Sequence, residues 1–224
     1  GFKGYVGYNN YEKILNDNTI INFYNDISDY EDKCKGWAHH DFKHITNVAS
    51  MVESILKQLG YDKAYINEAK IAALLHDIGC IQGKDNHQER SAIMAKKYLK
   101  ENNIGLKYED EVISAIKNHS AGFDEENIMT LCLIFCDKLD IKKSRVAKEG
   151  YNVIGMRQLQ YVDDINIAID DEYVEVNFLA KDKMDIKELN NFYFIDKVFK
   201  AINSFSNKIN RKAIIKLNNK FWER

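Results

Sequence analysis

Four of the six histidines in this 224-residue chain form an ordered series with two aspartates: His44, His76, Asp77, His87, His119 and Asp137. Imidazole and carboxylate together are the donor set for Fe, Mn, Co, Ni or Zn, whereas Mg prefers oxygens and Ca needs more of them. A cation so held lowers the pKa of a bound water and acts as a Lewis acid, so the chemistry in prospect is metal-assisted. The pair His76–Asp77 carries the most weight because it closes the apolar run Ile71-Ala72-Ala73-Leu74-Leu75. Asp137 repeats the pattern at the end of Leu131-Cys132-Leu133-Ile134-Phe135-Cys136. An ionised carboxylate on a helix covered on most sides requires a strong partner. A single histidine on an apolar face is ordinarily a hydrogen-bonded core residue; it is the whole set that argues for one metal site, with a second beside it.

These residues need elements to position them, and helical period supplies most of the directions. His119 follows Val112 and Ile116 on an apolar stripe, and His44 precedes Val48, Met51, Val52 and Ile55, so both point inward. His87 opens a helix with Asn86 as expected N-cap and Glu89 at the capping-box position, and the period alone does not set its direction. Helices are expected at about 41–59, 64–79, 87–102, 109–119 and 126–144, after a leading helix over 10–30 that breaks near Asn16–Asn18. Proline is absent, so breaks fall to Gly60, Gly79, Gly83, Gly105 and Asn-rich turns. Beyond Gly150, Ile165, Ile167 and Ile169 alternate with polar residues, Asp170-Asp171 marks a turn, and Val174, Val176 and Phe178 alternate again, predicting a β-hairpin. Two closing helices are expected at 187–205 and 208–222, the second with Ile214, Leu217 and Phe221 on one side. The expected fold is mainly α, with an N-terminal extension (1–36), a metal-binding helical core (37–147) and a hairpin-plus-helix tail (148–224) that either covers the core or forms a homodimer contact.

The order H, HD, D in His44, His76–Asp77 and Asp137 resembles the HD-domain superfamily of metal-dependent phosphohydrolases. The setting carries the resemblance: Ala38-His39-His40-Asp41-Phe42-Lys43-His44, then Ala73-Leu74-Leu75-His76-Asp77-Ile78-Gly79, then Ile116-Lys117-Asn118-His119, then Cys136-Asp137-Lys138-Leu139-Asp140. The resemblance implies that His44, His76, Asp77 and Asp137 hold one metal, and that His87 and His119 hold a second with Asp77 bridging. The series is similar to the HD-GYP phosphodiesterases but departs from them, with His119-Ser120 and Ala121-Gly122-Phe123 where that group has paired histidines and a GYP tripeptide. Cyclic di-GMP is therefore not assigned. Some HD-fold proteins resembling myo-inositol oxygenase use the same kind of ligand set for a di-iron oxygenase, and a nucleotide-binding sensor with vestigial hydrolysis is a third possibility.

A phosphorylated substrate, a nucleotide or another phosphoester, needs cations beside the metals. Lys84, in the Gly83-Lys84 turn between two ligand elements, is the expected catalytic and substrate-binding cation, with Arg90, Lys138 and Arg145 as further substrate contacts. His40 precedes His44 by four residues and is expected to support it from a second shell, while Asp41 suits the start of a helix. A formal net charge of −2 offers no general attraction for nucleic acid or membrane, so an anionic substrate must be drawn by a local patch. The 45% hydrophobic content is ample for a core. Four cysteines in no paired pattern read as free thiols in a reducing compartment, and no stretch approaches membrane-spanning length, so a cytoplasmic protein is expected. Cys132 and Cys136 have ligand spacing but sit where packing needs them. The chain starts at Gly1, either a tag remnant or the start of a piece lacking its N-terminal part.

Overall fold

The computed structural model describes the backbone of residues 6–224 and side chains from Asn10 onward; Gly1 lies outside the described residues. The described residues form two compact units, one of residues up to 30 together with 40–137, the other of residues 31–39 and 138–224.

The first unit is helical. Helices α1 (Val6–Leu15) and α2 (Asn18–Lys33) are separated at the expected break, and α2 continues to Lys33, past the expected end at 30. Next come α3 (Phe42–Gln58), α4 (Lys63–Leu75), a 3-10 segment (Ile78–Gln82), α5 (His87–Glu101), α6 (Glu109–Lys117) and α7 (Ile128–Leu139). Asp41 and Asp62 cap α3 and α4, their carboxylates accepting from the backbone N–H of His44 and Tyr65, each at 2.9 Å. Helix α4 is the hub: Ile71 through Leu75 are fully buried, and α1, α3 and α6 pack around it. That surround is what an almost uniformly apolar helix demands. The buried Tyr24 hydroxyl of α2 donates to the Leu74 carbonyl at 2.5 Å, satisfying an end carbonyl of α4. In α7, Leu131 through Cys136 are buried, so Cys132 and Cys136 pack in the core; Cys80 is also buried, Cys34 is exposed, and none of the four is in a disulfide.

Three helix ends differ from the sequence expectation. Helix α4 stops at Leu75 rather than 79, α6 at Lys117 rather than 119, and α7 at Leu139 rather than 144. Ligand candidates therefore sit at or just beyond helix ends, where the backbone leaves the 3.6-residue period. The N-cap expected at Asn86 is not made: Asn86 is left-handed (φ 54°) and its side chain gives no capping hydrogen bond.

The second unit is built on a four-stranded sheet of order β1-β2-β3-β4, preceded by short 3-10 segments at Lys143–Arg145, Lys148–Asn152 and Met156–Tyr161. The expected hairpin is present: β1 (Val162–Ile169) pairs antiparallel with β2 (Tyr173–Ala180), with Ile165 opposite Phe178 and Ile167 opposite Val176. Asp170 closes its turn by accepting from the N–H groups of Glu172 and Tyr173. Of the closing helices, the first is divided into α8 (Ile186–Asn190) and α9 (Tyr193–Lys208). The second is corrected outright: residues 208–222 are not a helix but hold β3 (Lys212–Leu217) and β4 (Lys220–Phe221). The spacing of Ile214, Leu217 and Phe221 imitates a helical stripe, but β3 pairs parallel with β2 from Tyr173–Lys212 to Phe178–Leu217. Asn218 and Asn219, both at positive φ (49° and 70°), then form the tight turn into β4. Among the described residues no helix is long and apolar enough to cross a membrane.

Candidate metal centre

Each ligand candidate is placed by a different element. His44 lies in the first turn of α3, where the Asp41 cap fixes the helix start. His76 is the residue on which α4 ends, and Asp77 leads into the 3-10 segment. His87 opens α5, His119 follows α6, and Asp137 lies in the last turn of α7. The fold brings all six together as two groups sharing one carboxylate: His44, His76, Asp77 and Asp137, with ligand atoms within 4.8 Å of one another, and Asp77, His87 and His119, equally close.

Asp77 faces both groups, one oxygen to each. Its Oδ2 is 3.4 Å from His44 Nε2 and 3.2 Å from His76 Nε2. Its Oδ1 is 3.5 Å from His119 Nε2 and 3.6 Å from His87 Nε2. Asp137 completes the first group, its Oδ1 2.9 Å from His44 Nε2 and 3.5 Å from His76 Nε2. His44, His76, Asp77 and His119 are buried, whereas the Asp137 side chain keeps 23% and that of His87 12% of their exposure, marking the side from which solvent reaches the cluster.

The donors fit a cation better than they fit one another. His76, His87 and His119 each direct Nδ1 at a backbone carbonyl, of Ala73 (2.5 Å), Lys84 (2.9 Å) and Ile116 (2.6 Å). A carbonyl only accepts, so Nδ1 carries a proton, and it is Nε2 that offers a lone pair once the ring is neutral. His87 and His119 aim Nε2 at Nε2 across 3.0 Å, which for two neutral rings sets two acceptors face to face. His76 Nε2 and Asp77 Oδ2 are buried without a hydrogen-bond partner although only 3.2 Å apart. Lone pairs converging in this way need a positive charge between them, and carbonyl-anchored Nδ1 atoms are the usual means of aiming metal-binding histidines.

The electrostatics carry the same demand. Burial would raise the pKa of Asp77, but His76, His119 and His44 outweigh it and hold the carboxyl well below its ordinary range. Asp137 follows the same balance, burial being overcome by His44 and His76. Burial depresses His76, yet Asp77 and Asp137 more than compensate and raise it to about 9. His87 moves the other way, pushed down by burial, with Asp77 and the Lys84 carbonyl opposing and His119 and the Lys84 ammonium adding to the fall. A buried and a half-buried carboxylate thus call for positive charge that either imidazole protons or cations supply.

The remaining candidates divide. His40 is buried, lies in the irregular segment before α3 rather than on it, and meets the His44 ring edge-on at 5.8 Å. Lys84 is exposed; its carbonyl orients His87, and its ammonium is close enough to depress that histidine. Arg90 is engaged elsewhere than expected: Nε donates to the Gly79 carbonyl at 3.0 Å, and its two terminal nitrogens to the carbonyls of Asp85 and Gly83. Lys138 and Arg145 belong to the second unit, where Arg145 donates to the Asp140 carbonyl at 3.1 Å. The sequence reading did not find the carbonyls of Ala73, Lys84 and Ile116 as supports. Their common offset is the detectable signal: each lies three residues before its histidine, the reach of a ring folded back onto a helix end or turn.

No curated protein matches the chain. The family model for the HD domain matches residues 41–142. That span takes in His44, His76, Asp77, His87, His119 and Asp137, which is to say both groups of the cluster. Residues 41–142 of this chain are thus similar to the HD domain, and the His/Asp cluster they hold is consistent with a metal-binding site of that domain.

Proposed function

We propose that the protein is a phosphohydrolase that cleaves a nucleotide or another phosphoester at a dinuclear centre. The observation that carries this reading is the division of Asp77 between two groups, Oδ2 toward His44 and His76, Oδ1 toward His87 and His119. Imidazole-rich donors favour Fe or Mn, with Co, Ni or Zn also suited. Metal bound there would supply an acidified water and electrophilic assistance at the phosphoryl group.

The residues of the chain do the rest. The Nδ1 anchors keep three lone pairs aimed inward before any ligand arrives, so binding costs little reorganisation. Burial of His44, His76 and His119 keeps bulk water from the inner side, and the partly exposed edge at Asp137 and His87 is the side from which a phosphoryl group enters. Lys84 is proposed as the cation of that edge, neutralising substrate oxygens. His40 supports His44 from behind. Lys138, next to Asp137 in the chain, and Arg145 are proposed as further substrate contacts, while Arg90 is reassigned below.

The test is metal analysis of protein purified without chelator, followed by phosphate release from nucleoside monophosphates, dinucleoside polyphosphates and small phosphoesters. Transition metal at one to two equivalents with turnover of one class is expected. Less than about a tenth of an equivalent, with none regained on reconstitution, would sink the metal reading. The shared Asp77 would also serve a di-iron oxygenase, and oxygen uptake by the reduced protein without phosphate release would establish that alternative. Nucleotide binding without either reaction would point to a sensor.

A further inference from the structure

Residues 78–86 connect the shared Asp77 to His87, and they are irregular: the 3-10 segment Ile78–Gln82 is followed by a turn with Gly83 at φ 96° and Asn86 at φ 54°. A stretch of this kind has many conformations open to it. His87 nevertheless needs a defined Lys84 carbonyl, to which it donates through both its backbone N–H (3.1 Å) and its Nδ1 (2.9 Å). The carbonyls on either side of that acceptor, those of Gly83 and Asp85, are the ones that receive the terminal nitrogens of Arg90. Arg90 Nε reaches further back, to Gly79. The next residue, Ser91, is fully buried and accepts from the Gly79 N–H at 2.8 Å.

We propose that Arg90 is a positioning residue for the second cation group: by bracing residues 79–85 it holds the Lys84 carbonyl, and through it keeps His87 Nε2 at 3.0 Å from His119 Nε2 and 3.6 Å from Asp77 Oδ1. This inference rests on the metal-centre reading above and replaces the expectation that Arg90 touches substrate. Its geometry is specific to a planar fork, because three separate nitrogens reach three carbonyls, which the single ammonium of a lysine does not. The first group meets the braced segment only through Asp77, since His44, His76 and Asp137 are carried by α3, the end of α4 and α7.

The experiment is a Mn²⁺ titration of the metal-free full chain for wild type, Arg90→Lys, Arg90→Gln and His87→Ala, with circular dichroism and hydrogen exchange over residues 78–87. Wild type is expected to bind two equivalents. Both Arg90 variants are expected to keep the first with unchanged affinity and to weaken the second by about tenfold or more, the scale of losing a residue that supports a metal ligand. They should approach His87→Ala in stoichiometry and exchange faster at 78–87. Where Arg90→Gln fails to fold, Arg90→Lys decides, since it keeps the aliphatic stem and the charge. Two equivalents of unchanged affinity in Arg90→Lys would overturn the inference, as would weakening of both sites together with an intact helical spectrum. A wild type that binds one equivalent overturns the second site and this role with it. Activity is not read, so two-metal binding without hydrolysis would sink the hydrolase reading and leave the brace standing.

Discussion

Asp77 is the residue on which both halves of the cluster depend, because each of its oxygens belongs to a different group. Asp77→Ala is expected to abolish metal retention and hydrolysis together, as measured by metal analysis and phosphate release; near-normal values of both would make the His76–Asp77 pair structural. His119→Ala, by contrast, removes a donor from one group only. It should lower the bound metal by about one equivalent and the rate by orders of magnitude with the fold intact. The residue types were legible in the sequence because few donors are so suited to transition metals, and the order H, HD, D was legible as a pattern. The direction of each ring was not. His119 lies beyond α6 and His76 ends α4, so their aim comes from Nδ1 contacts to Ile116 and Ala73 rather than from a helical face.

At the scale of elements, the docking of the 3-10 segment on α5 depends on a missing side chain. A Cβ on Gly79 would lie 2.5 Å from the His87 carbonyl oxygen and 2.6 Å from the Ser91 nitrogen, both backbone. Gly79→Ala is therefore expected to destabilise the fold by about 1–3 kcal/mol in urea unfolding and to displace His87. An unchanged midpoint would show that this contact yields easily. In the second unit, Glu188 gathers the Arg157 guanidinium, the Gln158 amide and the Gly155 N–H. Arg157 leads these partners in holding its carboxyl down to about 2, against burial, from an ordinary 4.5. A depressed carboxylate stabilises the fold above its unfolded pKa, and that contribution fades as pH falls from about 4.5 through about 2. Both tryptophans, Trp37 and Trp222, lie in this unit, so tryptophan fluorescence reports on it. Glu188→Gln should flatten the acid dependence of the fluorescence transition below pH 4.5. The same slope in the variant would remove Glu188 from the account.

For the molecule as a whole, metal should act as part of the fold. A ligand that binds only the native state stabilises it by about 2.7 kcal/mol at a hundred times its dissociation constant. Chelation should therefore lower the helical melting midpoint and Mn²⁺ should restore it in a concentration-dependent way; a midpoint indifferent to metal would separate binding from folding. The sequence by itself determined the donor types, the helix order of the first unit and the β1–β2 hairpin. Each of these rests on local chemistry or on a period of 3.6 or 2 that neighbouring residues already express. Tertiary structure alone decided that residues 212–217 are a strand, because parallel pairing with β2 joins segments that the chain separates by α8 and α9, and no local period encodes it. It also decided the division of the Asp77 oxygens between two groups of histidines and the engagement of Arg90 with three carbonyls. Those outcomes depend on where helix ends and turns come to rest against one another, and a one-dimensional pattern of residue types holds no information about that.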